Sequence, residues 1–167
     1  MSGPAAKVLT VSDGVAAGVR DDLSGPALAG RLTAAGYEVV ERQVVGDGVT
    51  TVARALSRMT GGFAGLVVTT GGTGFAPRDL TPEGTAAVIE RAAPGLAEAM
   101  RGASPKGALS RAVAGVRGRA IVLNTPGSPA GAVQSLEAVL AVLPHALALV
   151  AGEAVDHGVP GVQGEDR

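Results

Sequence analysis

The sequence predicts an α/β fold in which a β-sheet carries helices on both faces. Short apolar, β-branched runs alternate four times with helix-length segments, the order of successive βα units. The run Gly65–Thr70 (GLVVTT) is apolar without polar alternation, the pattern of a strand covered on both sides. Each strand-like run also ends in a cluster of turn-forming residues.

The elements follow in order. Lys7–Val11 (KVLTV) is the first strand and runs into the turn triplet Ser12-Asp13-Gly14, with Val15–Asp22 as a loop. Ser24 caps the next helix, Pro26 suits its first turn, Leu28, Leu32 and Ala35 share one face, and Gly36 ends it. Tyr37–Val45 is the second strand, closed by Gly46-Asp47-Gly48. Thr50 or Thr51 caps a helix through Met59, with Val52, Leu56 and Met59 on one side, and Gly61-Gly62 stops it. Gly65–Thr70 breaks at Gly71-Gly72-Thr73-Gly74. Thr81-Pro82-Glu83 opens a helix to about Ala92: a capping Thr, Pro at the first position and an acid in the first turn. A shorter helix spans Gly95–Arg101, and Gly102–Gly118 reads as a loop with a helical turn near Leu109–Val113. Arg119–Asn124 (RAIVLN) is the last strand, Thr125–Pro129 its turn, and one helix spans Ala130–Val150. Residues 1–152 form one domain, with 153–167 as a loose tail.

Composition narrows the function classes. With 46% apolar and 17% charged residues the chain is expected to fold, and with 26 Gly and 2% aromatics its core must be Val, Leu, Ile and Ala at close approach. The absence of cysteine excludes disulfides, thiolate nucleophiles and Cys-zinc sites. A net charge of −1 gives no basic excess for nucleic acid. No apolar run reaches the roughly 18 residues of a membrane span, and residues 1–7 lack a signal-peptide core, so a soluble cytoplasmic protein is expected.

The turns at the strand ends carry the candidate chemistry, because ligands of open α/β sheets bind beyond the carboxyl ends of the strands. Thr70-Gly71-Gly72-Thr73-Gly74 combines glycines, whose amides can turn inward as an anion nest, with two hydroxyls. The same segment read blandly is a strand-to-loop turn. Asp79 beside it either supports the following helix start and pairs with Arg78, or binds Mg²⁺, which takes one or two carboxylates plus substrate phosphates. Asp47 is either a turn residue or the second carboxylate. Ser110-Arg111 offers a hydroxyl and a guanidinium, and Ser128 either caps a helix or contacts an anion or a ring. His145 and His157 lie away from the strand ends, which disfavours a Ser-His-Asp triad or a His metal site. There is no GxxxxGK[ST] and no GxGxxG. A nucleophile that is already anionic, such as a phosphate oxygen with a second pKa of about 6, needs no histidine base.

Four blocks then carry a resemblance. They are Leu9–Asp13 with Gly18, Asp22 and Ser24-Gly25-Pro26; Thr69–Phe75 with Pro77–Glu83; Pro94-Gly95-Leu96 with Leu109–Ala112 and Ala114–Gly118; and Asn124–Pro129. In that order they resemble the MoaB/Mog family of molybdenum-cofactor biosynthesis proteins, and the sequence is similar to the G domain of gephyrin, over about residues 5–152. The resemblance implies a three-layer α/β/α sandwich with a mostly parallel sheet, commonly a homotrimer. It implies Mg²⁺-dependent adenylyl transfer from ATP to molybdopterin, or else a non-catalytic pterin- or nucleotide-binding role in the same pathway. It implies Asp79 and Asp47 as catalytic and metal-linked acids, although the family often has Pro-Asp where this chain has Gly46-Asp47. Ser12, Asp13, Thr70, Gly71, Gly72, Thr73 and Gly74 would line the nucleotide and phosphate site, and Ser110, Pro126, Gly127 and Ser128 the pterin side. A hand-over to a molybdenum-insertion protein would follow. An unrelated phosphate-binding module would explain only the glycine loop.

Overall fold

The computed structural model describes residues 2–153. The expected 153–167 tail, with His157, falls outside the described residues except for Glu153. Six strands form one sheet: β1 (Ala5–Val11), β2 (Glu38–Val45), β3 (Ala64–Thr70), β4 (Arg91–Ala92), β5 (Ala114–Arg117) and β6 (Arg119–Thr125), in the order β2-β1-β3-β6-β5-β4. β2, β1, β3 and β6 pair in parallel, while β5 runs antiparallel to both β6 and β4. The helices are α1 (Asp13–Ala16), α2 (Ser24–Ala34), α3 (Val49–Thr60), α4 (Thr81–Ala86), α5 (Pro94–Arg101), α6 (Pro129–Glu137) and α7 (Leu143–Ala151).

The alternation of side chains along the strands builds two cores. Ala6, Val8, Leu66, Val68, Ile121 and Leu123 point to one face and pack with Leu28 and Leu32 of α2, Met100 of α5 and Leu136 of α6. Leu9, Val11, Val67 and Val122 point to the other and meet Val52, Leu56 and Met59 of α3. This is the mostly parallel α/β/α sandwich expected from the sequence, and it accounts for the aromatic-poor composition: aliphatic side chains of moderate size fill both layers.

Several local expectations are corrected. Asp13–Ala16 is not a turn and loop but a helical turn capped by Ser12, whose Oγ accepts from Val15 N–H at 3.3 Å. Ser24 lies inside α2; the carboxylate that serves the helix start is Asp22, accepting from Gly25 N–H at 3.0 Å and from the Thr10 hydroxyl at 2.9 Å. α4 ends at Ala86 rather than Ala92, because Glu90 N–H donates to the Val116 carbonyl (2.8 Å) and draws the chain to the sheet edge as β4. Thr81 does not cap α4 through its hydroxyl, which is buried and without a hydrogen-bond partner among the described residues. The helical turn expected at Leu109–Val113 is a 3₁₀ turn over Pro105–Leu109, and β5 with β6 forms a tight hairpin at Gly118 that the loop reading missed. The single C-terminal helix is two, since Pro144 cannot continue a helix interior and opens α7 instead.

The turn after β3 sets the rim. Gly71 leaves the strand at φ +98°, donates to the Thr125 carbonyl (3.1 Å), and lies so close to β1 that a Cβ would stand 2.2 Å from the Val11 carbonyl oxygen. Gly71→Ala should therefore cost roughly 2–6 kcal/mol, from backbone strain and overpacking together. Urea denaturation checks this; an unchanged midpoint would remove the close approach from the account.

Candidate active site

A layer of buried polar groups closes the carboxyl ends of the central strands. Asn124 Nδ2 donates to the hydroxyls of Thr69 (3.0 Å) and Thr85 (2.9 Å), and its Oδ1 accepts from Val113 N–H (3.2 Å). Thr125 Oγ1 donates to the Thr69 carbonyl (2.8 Å) and Thr70 Oγ1 to the Pro126 carbonyl (2.7 Å). These bonds satisfy groups that burial would otherwise make costly. They hold the glycine loop against the Pro126-Gly127-Ser128 turn, where a Cβ on Gly127 would approach Gly71 Cα to 3.3 Å.

Two open clefts flank this junction, one of about 670 Å³ and one of about 740 Å³. Ser12, Thr70 and Gly71 line the first, with Asp47. Thr73, Gly74, Ser110 and Pro126 line the second. Gly72, Asp79, Gly127 and Ser128 line both and so form the shared wall. Ser128 also caps α6, accepting from Gly131 N–H at 3.1 Å, so the positive end of that helix dipole faces the junction. Of the expected site residues, Asp13 alone lines neither cleft.

Asp13 is instead part of a lock between the ends of β1 and β2. Its N–H donates to Asp47 Oδ2 (2.9 Å), while Asp47 N–H donates back to Asp13 Oδ1 (3.0 Å). Arg78 grips the same carboxylate through Nε (2.5 Å) and Nη2 (3.1 Å), and Nη2 also reaches the Asp47 carbonyl (3.1 Å). The Arg78 hydrogen bonds, aided by Asp47 N–H, hold the Asp13 carboxyl below its ordinary range. Asp47 thus commits one oxygen to a backbone amide; the other faces Gly72, whose absent Cβ would stand 3.1 Å from Oδ1. Asp79 repeats the arrangement: its Oδ2 accepts from Ala76 N–H at 3.0 Å, and no described residue occupies Oδ1. At φ +66°, and with a Cβ position only 2.3 Å from Thr81 Oγ1, Gly72 leaves no room for a side chain between the acids' loops.

Residues that the sequence reading missed complete the rims. Arg20 and Asp21 line the first cleft, and Arg101, Lys106 and Gln134 the second. They sit on helices and loops with no motif-like spacing, so only the fold brings them to the rim. Arg111 was visible as half of a Ser-Arg pair, but its partners lie some thirty residues upstream.

An open α/β sheet with two clefts meeting at a carboxylate-bearing wall beyond its strand ends defines a ligand-handling protein with its site at the sheet's carboxyl edge. The comparisons are specific within that class. A family described as "Probable molybdopterin binding domain" matches residues 7–145, and the chain belongs to it. A molybdopterin adenylyltransferase from Helicobacter pylori is 38% identical over 152 residues, 87% of this chain and 86% of that protein. The crystal structure of the molybdopterin biosynthesis enzyme MoaB from Thermus thermophilus has a TM-score of 0.84 at 47% identity, covering 90% of this chain and 98% of the other. The Mog protein from Mycobacterium ulcerans gives 0.83 at 38% identity, covering 92% and 100%.

The lock has a pH signature. Asp13 and Glu83, the latter beside Arg111, both have lowered folded-state pKa values, so the unfolded chain binds more protons in that window. Their contribution is present above the ordinary carboxylate range, near 3.8 and 4.5, and is lost as pH falls through the lowered values. Asp13→Asn should flatten the fall of the urea midpoint between about pH 5 and pH 2. Identical acid limbs in variant and parent would show that the Arg78 pairing adds nothing.

Proposed function

We propose that the chain transfers an adenylyl group from ATP to molybdopterin, releasing pyrophosphate. The observation that carries this reading is the pair of clefts sharing one wall, with Asp79 exposed to both. In a two-substrate transfer the reacting groups must meet, and holding them at a common wall turns an encounter into a positioned step. The first cleft, with Ser12 and the start of the glycine loop, takes the nucleotide; the second, with Ser110 and Pro126, takes the pterin.

The terminal phosphate oxygen of molybdopterin forms a bond to the α-phosphorus of ATP, and the bond from that phosphorus to the pyrophosphate oxygen breaks. The nucleophile is already charged at neutral pH, so no side chain has to remove a proton. The chain contributes position and charge: the amides of Gly72–Gly74 and the N-terminal end of α6 face the phosphates, while the Gly71 amide is held by the Thr125 carbonyl. Asp47 and Asp79, each with one oxygen uncommitted among the described residues, fit the oxygen donors of a Mg²⁺ ion. Mg²⁺ is usually held by one or two carboxylates, with substrate phosphates and water taking its remaining positions. When bound, Mg²⁺ supplies charge neutralisation to the phosphates.

Assembly as a homotrimer is part of the reading. Light scattering at micromolar concentration should give three times the 16.3 kDa chain mass. A cytoplasmic location and release of product to a molybdenum-insertion protein complete the proposal; among the described residues no helix is long and apolar enough to cross a membrane.

Incubation with molybdopterin, ATP and Mg²⁺ should yield adenylylated molybdopterin and pyrophosphate, detected by mass spectrometry. Binding of both substrates without product would identify a non-catalytic binding protein instead. Asp79→Asn should lower kcat by at least about 10²-fold, the scale of one lost electrostatic contact in a transfer site, while pterin affinity stays near the parent value. Gly72→Val should abolish ATP binding in calorimetry, and unaltered ATP affinity would sink the phosphate role of the loop.

A further inference from the structure

We propose that Arg111 is a positioning residue that sets where Asp79 stands between the two clefts; this rests on the adenylyl-transfer reading. Arg111 lies on the segment joining the 3₁₀ turn Pro105–Leu109 to β5. Its neighbours Ser110 and Ala112 line the second cleft, but Arg111 lines neither. Its side chain turns instead to the back of the acidic loop. Nε donates to the Gly74 carbonyl at 2.9 Å, Nη1 donates to Glu83 Oε1, and Nη2 donates to the Asp79 carbonyl and, at 3.4 Å, to Glu83 Oε2. Its backbone N–H donates to the Thr73 carbonyl at 2.8 Å. Four of the five guanidinium N–H groups are thus engaged by protein, which leaves little of the fork for a ligand.

The anchor matters because Asp79 has few others. Among the described residues its own amide and carboxylate bond only to Ala76, three residues away, at 2.9 and 3.0 Å. Arg111 is the group that ties the Asp79 peptide to a distant element. The same guanidinium holds the end of the glycine loop and the first turn of α4, so one planar fork fixes both boundaries of residues 74–83 against the wall of the second cleft. Lysine, a point charge without the fork, cannot span these acceptors. An ion pair at this exposure adds little net stability, so its value lies in geometry.

The test compares parent, Arg111→Lys and Arg111→Ala by steady-state kinetics, thermal melting and amide hydrogen exchange of residues 73–80. The expected result for Arg111→Lys is a fall in kcat of about 10²-fold, the cost of a misplacement near 1 Å. The KM values for both substrates should stay within about threefold, since Arg111 itself lines neither cleft. Exchange in residues 73–80 should rise about tenfold in both variants at near-parental melting temperature. Added guanidinium should restore part of the kcat of Arg111→Ala. Retention of parental kcat in Arg111→Lys, a loss confined to KM, or unchanged exchange in 73–80 would each overturn the proposal. Should the parent itself make no product, the transfer reading fails separately, and the exchange measurement alone decides whether Arg111 holds the Asp79 segment.

Discussion

The site hangs on one close approach. Gly71 passes over the end of β1 with no room for a Cβ, its amide bonded to the carbonyl that ends β6. Three neighbouring strands of the sheet are thereby tied at a single residue. The loop that follows must turn at once, and Gly72 does so at a positive φ against the Thr81 hydroxyl and the Asp47 carboxylate. The wall between the clefts is this loop together with the Gly127-Ser128 turn packed on it. A side chain at either glycine would push the wall into one cleft or the other.

The electrostatics follow from that geometry. Asp47 and Asp79 arrive on different loops, and each is steadied through one oxygen by a backbone amide. An arginine stands behind each: Arg78 holds Asp13 and the Asp47 carbonyl, and Arg111 holds Glu83 and the Asp79 carbonyl. Both arginines spend their charge on Asp13, Glu83 and backbone carbonyls, so neither neutralises Asp47 or Asp79 at the wall of the clefts. The pairs are exposed, so salt and water weaken them as sources of stability. Their role is to define where loops sit. The chain has few rings, and the groups lining the two clefts include amides, hydroxyls and carboxylates, with Phe75 an exposed ring beside the glycine loop.

Much of this was legible in the sequence. The uninterrupted apolar runs of β3 and β6 and the amphipathic α3 announced themselves through composition and period, and the glycine loop with the following RD-L-TPE block pointed to the rim where the two clefts meet. What stayed hidden depended on tertiary pairing. β4 has two residues and exists because Val116 and Ala114 accept its neighbours' amides. β5 is short and carries an arginine, so no periodicity betrays it. Asp13, expected with Ser12 on the nucleotide side, exchanges backbone-to-carboxylate bonds with Asp47, a pairing that only the fold creates. The break before α7 was different, since Pro144 stood in the sequence as a plain signal and was overrun by a long apolar pattern.

The central claim is that the two clefts are filled together across one wall. Calorimetric titration of a non-cleavable ATP analogue, bridged by carbon between the α- and β-phosphates, into protein already saturated with molybdopterin and Mg²⁺ tests it directly. Binding of one analogue per chain, with affinity no weaker than for the pterin-free protein, is the expected result. Competition between the two ligands would contradict the shared-wall arrangement and, with it, the mechanism built upon it.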